Sequence, residues 1–107
     1  MELPEVVERF IEKQQIYDSK AFTECFTETA IVHDEGKTHT GRKEIHQWIE
    51  HAMEAYKSQL KPLRYEESGS KGVLTAEVSG TFPGNTIVLK FHLGLMDGLI
   101  DSLNVTE

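Results

Sequence analysis

Helical periodicity is confined to the first half of the sequence, and strand alternation fills the second half. Apolar residues recur every three or four positions from Leu3 to Gln14 and again from Ile45 to Tyr56. From Leu63 onward, apolar and polar residues alternate in runs that glycine-containing turns separate. Helices grouped before strands are typical of α+β proteins. The chain is therefore predicted to pack N-terminal helices on a curved antiparallel sheet.

The segment between the two long helices is predicted to contain a short helix and the first strand. Asp18 or Ser19 is expected to cap a short second helix. We expect that helix to carry an apolar face of Ala21, Phe22, Cys25 and Phe26. A strand is then predicted over 30–35, and after a turn at Gly36 residues 38–40 are expected to pair back against it.

The remaining boundaries follow from glycine, proline and alternation. The third helix is predicted to open at Gly41 and to end near Gln59, before Pro62. Three or four strands are predicted to follow, in the segments 63–68, 73–82, 87–96 and 99–105. Asp97-Gly98 is a strong hairpin signal between the last two.

One face of the predicted sheet is apolar and must be covered by the helices. Its members are Leu74, Ala76, Val78, Phe82, Ile87, Leu89, Phe91, Leu93 and Leu95. The opposite face carries Thr75, Glu77, Lys90 and His92, which is compatible with solvent or with a polar subunit contact. Asp101 follows the hairpin closely and is expected at the rim of the sheet.

The charge balance excludes one broad class of partner. The chain carries 11 basic and 18 acidic residues, giving a formal net charge of −7. Nucleic-acid binding requires lysine and arginine gathered in a stripe that displaces counterions, and no segment here is strongly basic. We therefore expect no nucleic-acid partner.

Other features favour a reducing, membrane-free setting. No apolar run approaches the length of a bilayer span, and the first five residues lack the basic-then-apolar pattern of a signal peptide. Cys25 is the only cysteine, so no internal disulfide can form. We expect a cytoplasmic protein that folds as a single domain over residues 1–107.

The order of the elements and one short motif resemble a known superfamily. The SnoaL-like branch of the nuclear transport factor 2-like superfamily is similar in the run Ala30-Ile31-Val32-His33-Asp34-Glu35-Gly36, followed by Gly41-Arg42 and Ile45-x-x-Trp48. The resemblance covers essentially the whole chain. It implies a cone-shaped fold, in which a bent sheet wraps around the helices and leaves a cavity at the open end. Members include isomerases, epoxide hydrolases, polyketide cyclases, dehydratases and non-catalytic binding domains, so the resemblance leaves function open.

From Arg9 to Asp34 the chain also lines up without gaps on the start of ketosteroid isomerase, a member of this superfamily. That resemblance puts Asp34 where the enzyme has its proton-shuttling carboxylate. It puts Phe10 where the enzyme has an oxyanion-binding tyrosine, and near Phe91 it finds no counterpart of a second, protonated acid. Because enolate charge must be stabilised as it develops, the loss of both donors argues against a steroid isomerase.

Asp34 is the candidate general base on physical grounds as well. Alternation puts it on the same face as Val32. If that face looks into the cavity, partial desolvation raises the pKa of the carboxyl toward the range that suits proton transfer near neutral pH. The alternative is an exposed acid at a strand end. His33 is a candidate acid–base partner because histidine is a common general acid or base, although alternation turns it toward the other face.

A metal-binding site is the main alternative to an acid–base role for this segment. Four neighbouring side chains are of types that bind metals: His33, Asp34, Glu35 and His39. Their spacing matches no compact metal motif. No glycine-rich phosphate loop and no motif for a nucleophilic triad appear in the sequence. We therefore predict neither a metal nor a cofactor.

The remaining candidates are large side chains expected to form the pocket wall. They are Phe10, Gln14, Tyr17, Trp48, Tyr56, Phe82 and Phe91. For each aromatic residue, ordinary core packing is the alternative. Gln14 is the most informative, because an amide on an apolar stripe requires a hydrogen-bond partner such as a polar cavity supplies. Its alternative is the exposed last turn of the helix.

Two functional hypotheses remain open. The first is a pocket for a small apolar or aromatic molecule, with general acid–base chemistry of the isomerase, cyclase or hydrolase type at Asp34. The second is a non-catalytic ligand-binding or assembly module. The family resemblance implies a homodimer through the outer sheet face in either case.

Overall fold

The computed structural model describes residues 2–81 and 84–107 of the chain. The elements within these residues are α1 (Glu5–Gln15), α2 (Ser19–Thr23), β1 (Phe26–Asp34), β2 (Lys37–Thr40), α3 (Gly41–Tyr56), β3 (Gln59–Ser68), β4 (Lys71–Ser79), β5 (Thr86–Met96) and β6 (Leu99–Thr106). None of the described helices is both long and apolar enough to cross a bilayer.

The strands form one open, curved sheet in the order β2-β1-β6-β5-β4-β3. Neighbouring strands are antiparallel except β1 and β6, which run parallel. The helices cover one face of this sheet, so the prediction of an α+β cone is confirmed. The long strands β4 and β5 pair in register, with Leu74 opposite Phe91 and Ala76 opposite Leu89.

The alternation of the long strands matches their burial. Leu74, Ala76 and Val78 are buried under the helices, as the sequence predicts. Thr75 has the opposite parity and lies on the outer face, yet it is buried as well. Its register partners Arg64 and Lys90 flank it on both sides, which accounts for its low exposure.

The predicted start of the first strand was wrong. The strand begins at Phe26 rather than at residue 30, and α2 ends at Thr23, so Cys25 and Phe26 do not belong to that helix. Phe26 instead pairs with Ile100, and the amide of Ile100 donates to the carbonyl of Cys25 at 2.8 Å. This pairing with a strand far along the chain overrides the local apolar spacing.

The predicted junction between the third helix and the next strand was also displaced. The helix ends at Tyr56, where Lys57 adopts a left-handed conformation (φ 48°). β3 starts at Gln59 and contains Pro62. β3 is an edge strand, and its register shifts between Pro62 and Arg64, so a residue without an N–H is tolerated there.

Two smaller expectations change at the far ends of the strands. β4 ends at Ser79, and Phe82, which was expected to extend its apolar face, lies outside the described residues. In β6 the register shifts where Leu95 pairs with Ile100, so strict alternation fails after the hairpin. Asp101 is half-buried there and accepts a hydrogen bond from the hydroxyl of Thr27 at 2.8 Å.

Candidate functional site

A tight hairpin places Asp34 at the open end of the cone. Glu35 and Gly36 both have positive φ (53° and 74°), which is the backbone of a two-residue hairpin turn between β1 and β2. Asp34 pairs with Lys37 across that turn. Along β1, Ala30 and Val32 are fully buried on the side that Asp34 shares by alternation. The carboxylate therefore ends an otherwise apolar row.

The indole of Trp48 holds that carboxylate. Its Nε1–H donates to Oδ2 of Asp34 at 3.1 Å, from the middle of α3. The ring of His39 stacks on Trp48 with centroids 5.7 Å apart and an interplanar angle of 29°. The ring of Phe22 lies 6.2 Å away. Asp34 is thus held by the N–H of Trp48, whose ring is stacked on that of His39. A backbone hydrogen bond from Glu35 also acts on the carboxyl.

The surroundings of Asp34 change its acidity. Burial raises the pKa of the carboxyl above its ordinary value of 3.8. The Trp48 N–H opposes this rise by favouring the ionised form, Glu35 adds to it through like charge, and His39 opposes it. Desolvation is the largest of these effects, so the pKa of Asp34 moves toward the range used by general bases.

A cavity of about 690 Å³ lies between the helices and the concave face of the sheet. Five aromatic side chains line it: Phe10, Phe22, Trp48, Tyr56 and Phe91. Aliphatic residues of the strands complete the apolar wall: Leu60, Val78, Ile87, Leu89 and Val105. The charged side chains that line it are Asp34, Glu35 and Glu107. The cavity is large enough for a small organic molecule.

Gln14 is the polar residue of the helical wall. It is buried, with 7% of its surface exposed, and its Nε2 donates to the carbonyl of Ser58 at 3.3 Å. Both residues line the cavity. Of the two alternatives for Gln14, the structure shows the side chain in the cavity wall and not in an exposed last turn.

A second, more polar groove of about 520 Å³ adjoins the cavity on the outer side of α3. The two hollows share Asp34, Glu35, Trp48, Ala52 and Tyr56. The groove adds Lys37, His39, Glu44, Gln47 and His51. Asp34 therefore borders an apolar cavity on one side and a polar surface groove on the other.

Two of the predicted site residues lie elsewhere. His33 is exposed on the opposite face of β1, where its Nδ1 and the hydroxyl of Thr38 are 2.9 Å apart. Tyr17 is largely exposed, and its hydroxyl donates to the carbonyl of Lys57 at 2.8 Å. Alternation explains the first outcome. The second follows from a contact between the segment after α1 and the residue that follows α3, which sequence spacing does not reveal.

The structure brings together Asp34 with five of the predicted wall residues. These are Phe10, Gln14, Trp48, Tyr56 and Phe91. Phe82, also predicted for the wall, lies outside the described residues. Sequence reasoning missed Phe22 as a wall residue, although its place on the apolar face of α2 was a usable signal. It also missed Glu107, for which no local signal exists.

The described residues offer little for a metal. Among residues 2–81 and 84–107, no group of three or more histidine, cysteine or carboxylate side chains is arranged to hold an ion. His33 and Asp34 point to opposite faces, which separates two of the four candidate ligands.

Comparisons with known proteins identify the fold and the family. The family model described as the SnoaL-like domain matches residues 7–100. A proposed polyketide cyclase from Sinorhizobium meliloti is 33% identical, with a TM-score of 0.93 over 97% of this chain and 95% of that one. A search of curated proteins gave no match.

Two more distant structures share the fold. A protein from Catenulispora acidiphila with a ketosteroid isomerase-like fold, in complex with trimethylamine, is 18% identical, with a TM-score of 0.90 over 99% of this chain and 87% of that one. The epoxide hydrolase/cyclase-like enzyme SalBIII of salinomycin pyran-ring formation is 23% identical, with a TM-score of 0.83 over 94% of this chain and 86% of that one.

Proposed function

The chain belongs to the SnoaL-like domain family, and on that premise we propose that its cavity binds a small apolar or aromatic molecule on which Asp34 acts as a general acid or base. The observation that carries the proposal is a desolvated carboxylate at the edge of an aromatic-walled cavity of about 690 Å³. The proposal takes residues 1–107 as one SnoaL-like domain. Two similar structures, described as a proposed polyketide cyclase and an epoxide hydrolase/cyclase-like enzyme, support acid–base chemistry of the cyclase or hydrolase type.

In this proposal the residues that line the cavity have separate roles. Asp34 accepts or returns the proton, because it is the desolvated carboxylate at the edge of the cavity. Trp48 positions the carboxylate. Phe10 and Phe91 form the apolar floor on which the ligand lies. His33 is left out of the proposal because it lies on the other face of β1.

A neutral aromatic substrate probe tests this proposal directly. The ring opening of 5-nitrobenzisoxazole requires only that a base remove the C3 proton while the N–O bond breaks, and it releases a coloured phenolate. We expect the protein to accelerate this reaction above buffer, and Asp34→Asn to lower the rate by roughly 100-fold or more, as for other positioned bases. The matched control is Glu28→Gln, which removes an exposed carboxylate from the same strand. An unchanged rate in Asp34→Asn would refute the assignment.

The alternative is a module that binds a ligand without reaction. It is favoured by Phe10, a hydrocarbon ring in the cavity wall at the position where the resemblance to ketosteroid isomerase implies an oxyanion-binding tyrosine. A neighbouring structure described in complex with trimethylamine supports small-molecule binding without reference to catalysis. Saturable binding of the benzisoxazole with no acceleration in the wild-type protein would select this alternative.

We also propose that two copies pair through the outer face of the sheet. Val88 is 47% exposed on β5 opposite Glu77 of β4, and Met96 is equally exposed at the far end of the same strand. Val88→Glu is expected to convert the dimer to a monomer in light scattering, whereas Ile16→Glu, an exposed apolar residue outside the sheet, is expected to leave it intact. A wild-type monomer at micromolar concentration would contradict this pairing. Fractionation of the native cells tests the proposed cytoplasmic location.

A further inference from the structure

The charges that line the cavity are of one sign. Asp34, Glu35 and Glu107 are its charged side chains, and among residues 2–81 and 84–107 no lysine, arginine or histidine lines it. The basic side chains beside the site, Lys37, His39 and His51, line the adjoining groove and not the cavity. Carboxylates around a cavity with low-dielectric walls focus a negative potential into it, and the net charge of −7 reinforces that potential. Anionic ligands are therefore disfavoured in this cavity.

The walls add a second feature that favours positive charge. Trp48 and Tyr56 line the same space as the three carboxylates, together with three phenylalanine rings. The faces of aromatic rings attract ammonium groups, and aromatic walls are the usual means of binding quaternary ammonium ligands. His39 stacks on one face of Trp48, so Tyr56 and the phenylalanine rings complete this wall.

An independent observation comes from Gln14. The side chain is more than nine-tenths buried and lines the cavity. Its Nε2 is engaged by the carbonyl of Ser58, and in the described part of the chain no donor reaches its Oε1. An amide oxygen in that position is an acceptor for a ligand that brings an N–H or a polarised C–H next to a positive nitrogen.

We propose that the ligand of this cavity is a cation: an amine or quaternary ammonium compound with an apolar or aromatic body. The apolar body lies against Phe10 and Phe91, and the charged nitrogen lies at the open end between Trp48 and the carboxylates. This inference rests on the proposed ligand cavity and narrows the class of molecule that it accepts. In this inference Glu35 and Glu107 attract the positively charged end of the ligand. Asp34 remains available to exchange a proton with the apolar or aromatic part of the ligand.

A pair of probes of equal shape tests the inference. Benzyltrimethylammonium and its carbon isostere neopentylbenzene differ in one atom and one charge. Trp48 is the only tryptophan, so a single indole N–H signal in the ¹H–¹⁵N spectrum reports binding at the site. We expect the cation to bind at least about tenfold more tightly than the hydrocarbon, which corresponds to about 1.4 kcal/mol. An anionic analogue, 3-phenylpropionate, is expected not to bind.

The outcomes separate this inference from the proposal beneath it. Equal or tighter binding of neopentylbenzene overturns the cation preference and leaves the ligand cavity standing. No shift of the Trp48 signal with either probe overturns both. Glu35→Gln and Glu107→Gln are each expected to weaken the cation alone by about threefold, with no change for the hydrocarbon. Glu28→Gln, which removes an exposed carboxylate outside the cavity, is expected to change neither.

Discussion

Replacing Trp48 by phenylalanine tests how the carboxylate of Asp34 is held. The change removes the N–H that donates to Oδ2 at 3.1 Å and keeps an aromatic ring near Phe22. A hydrogen bond to a charged group contributes about 1.5–3 kcal/mol, and the half-buried position of Asp34 puts this one near the lower figure. The smaller ring also loses about 1 kcal/mol of packing. We expect the free energy of unfolding to fall by about 2.5 kcal/mol in total.

A double-mutant cycle separates the two contributions. In the Asp34→Ala background no carboxylate remains, so Trp48→Phe is expected to lower the free energy of unfolding only by the packing part, about 1 kcal/mol. Urea unfolding followed by far-ultraviolet circular dichroism measures all four proteins, because the tryptophan signal is lost in two of them. If Trp48→Phe has the same effect in both backgrounds, the hydrogen bond contributes nothing and the positioning role of Trp48 is wrong.

Trp48→Phe is also expected to change the pKa of Asp34. The Trp48 N–H favours the ionised form of Asp34, so Trp48→Phe is expected to raise the pKa of that carboxyl further. An NMR titration of the Asp34 carboxyl carbon measures the direction. A pKa that stays where it was or falls would contradict the assigned bond.

Three further changes test other parts of the structure. Phe22→Ala is expected to lower the free energy of unfolding by about 3–5 kcal/mol in urea titrations, whereas Ile31→Ala, 39% exposed, is expected to change it by less than about 1 kcal/mol. Burial raises the pKa of Asp34 above 3.8, so the stability linked to this group is present below pH 3.8 and is lost as the pH rises through the folded-state pKa. Asp34→Asn is therefore expected to be more stable than wild type near neutral pH, with the difference closing in acid; a constant difference would show that another group is responsible. Lys57→Gly relieves a left-handed residue (φ 48°) and is expected to raise the melting temperature, with a gain of about 1 kcal/mol; a loss would mean that the side chain has a role of its own.

Much of the fold was predictable because two periodicities are strong. The stripe that buries Val6, Val7 and Phe10 is visible in the sequence, as is the alternation that buries Leu74 and Ala76. The spacing of apolar and polar residues along a helix or strand indicates which of its faces is buried.

The boundaries that failed depend on distant partners. Phe26 has helical spacing from Phe22, and only its pairing with Ile100 makes it a strand residue. From sequence alone, Pro62 predicts an interruption between a helix and a strand. It is permitted inside β3 only because β3 is an edge strand.

The site was partly predictable for the same reason. Alternation alone separates Asp34 from His33, and the structure places them on opposite faces. The bond from Trp48 to Asp34 joins a helix to a strand end, and no spacing rule supplies it. Tyr17 was expected in the wall, but its hydroxyl is taken by a backbone carbonyl 40 residues away in the sequence.

The parallel pairing of β1 with β6 has a consequence for how the site forms in time. β6 lies between β1 and β5, so the hairpin that carries Asp34 has no neighbour in the main sheet until β6 has docked. Joining Phe26 to Ile100 closes a long loop, and such non-local contacts slow folding. In a species in which β6 is undocked, the hairpin can contact α3 through Trp48 but is not joined to the strands of the opposite cavity wall. The rate at which ligand binding recovers during refolding therefore measures the rate at which β6 docks. It does not depend on when the helices or the β4–β5 pair form.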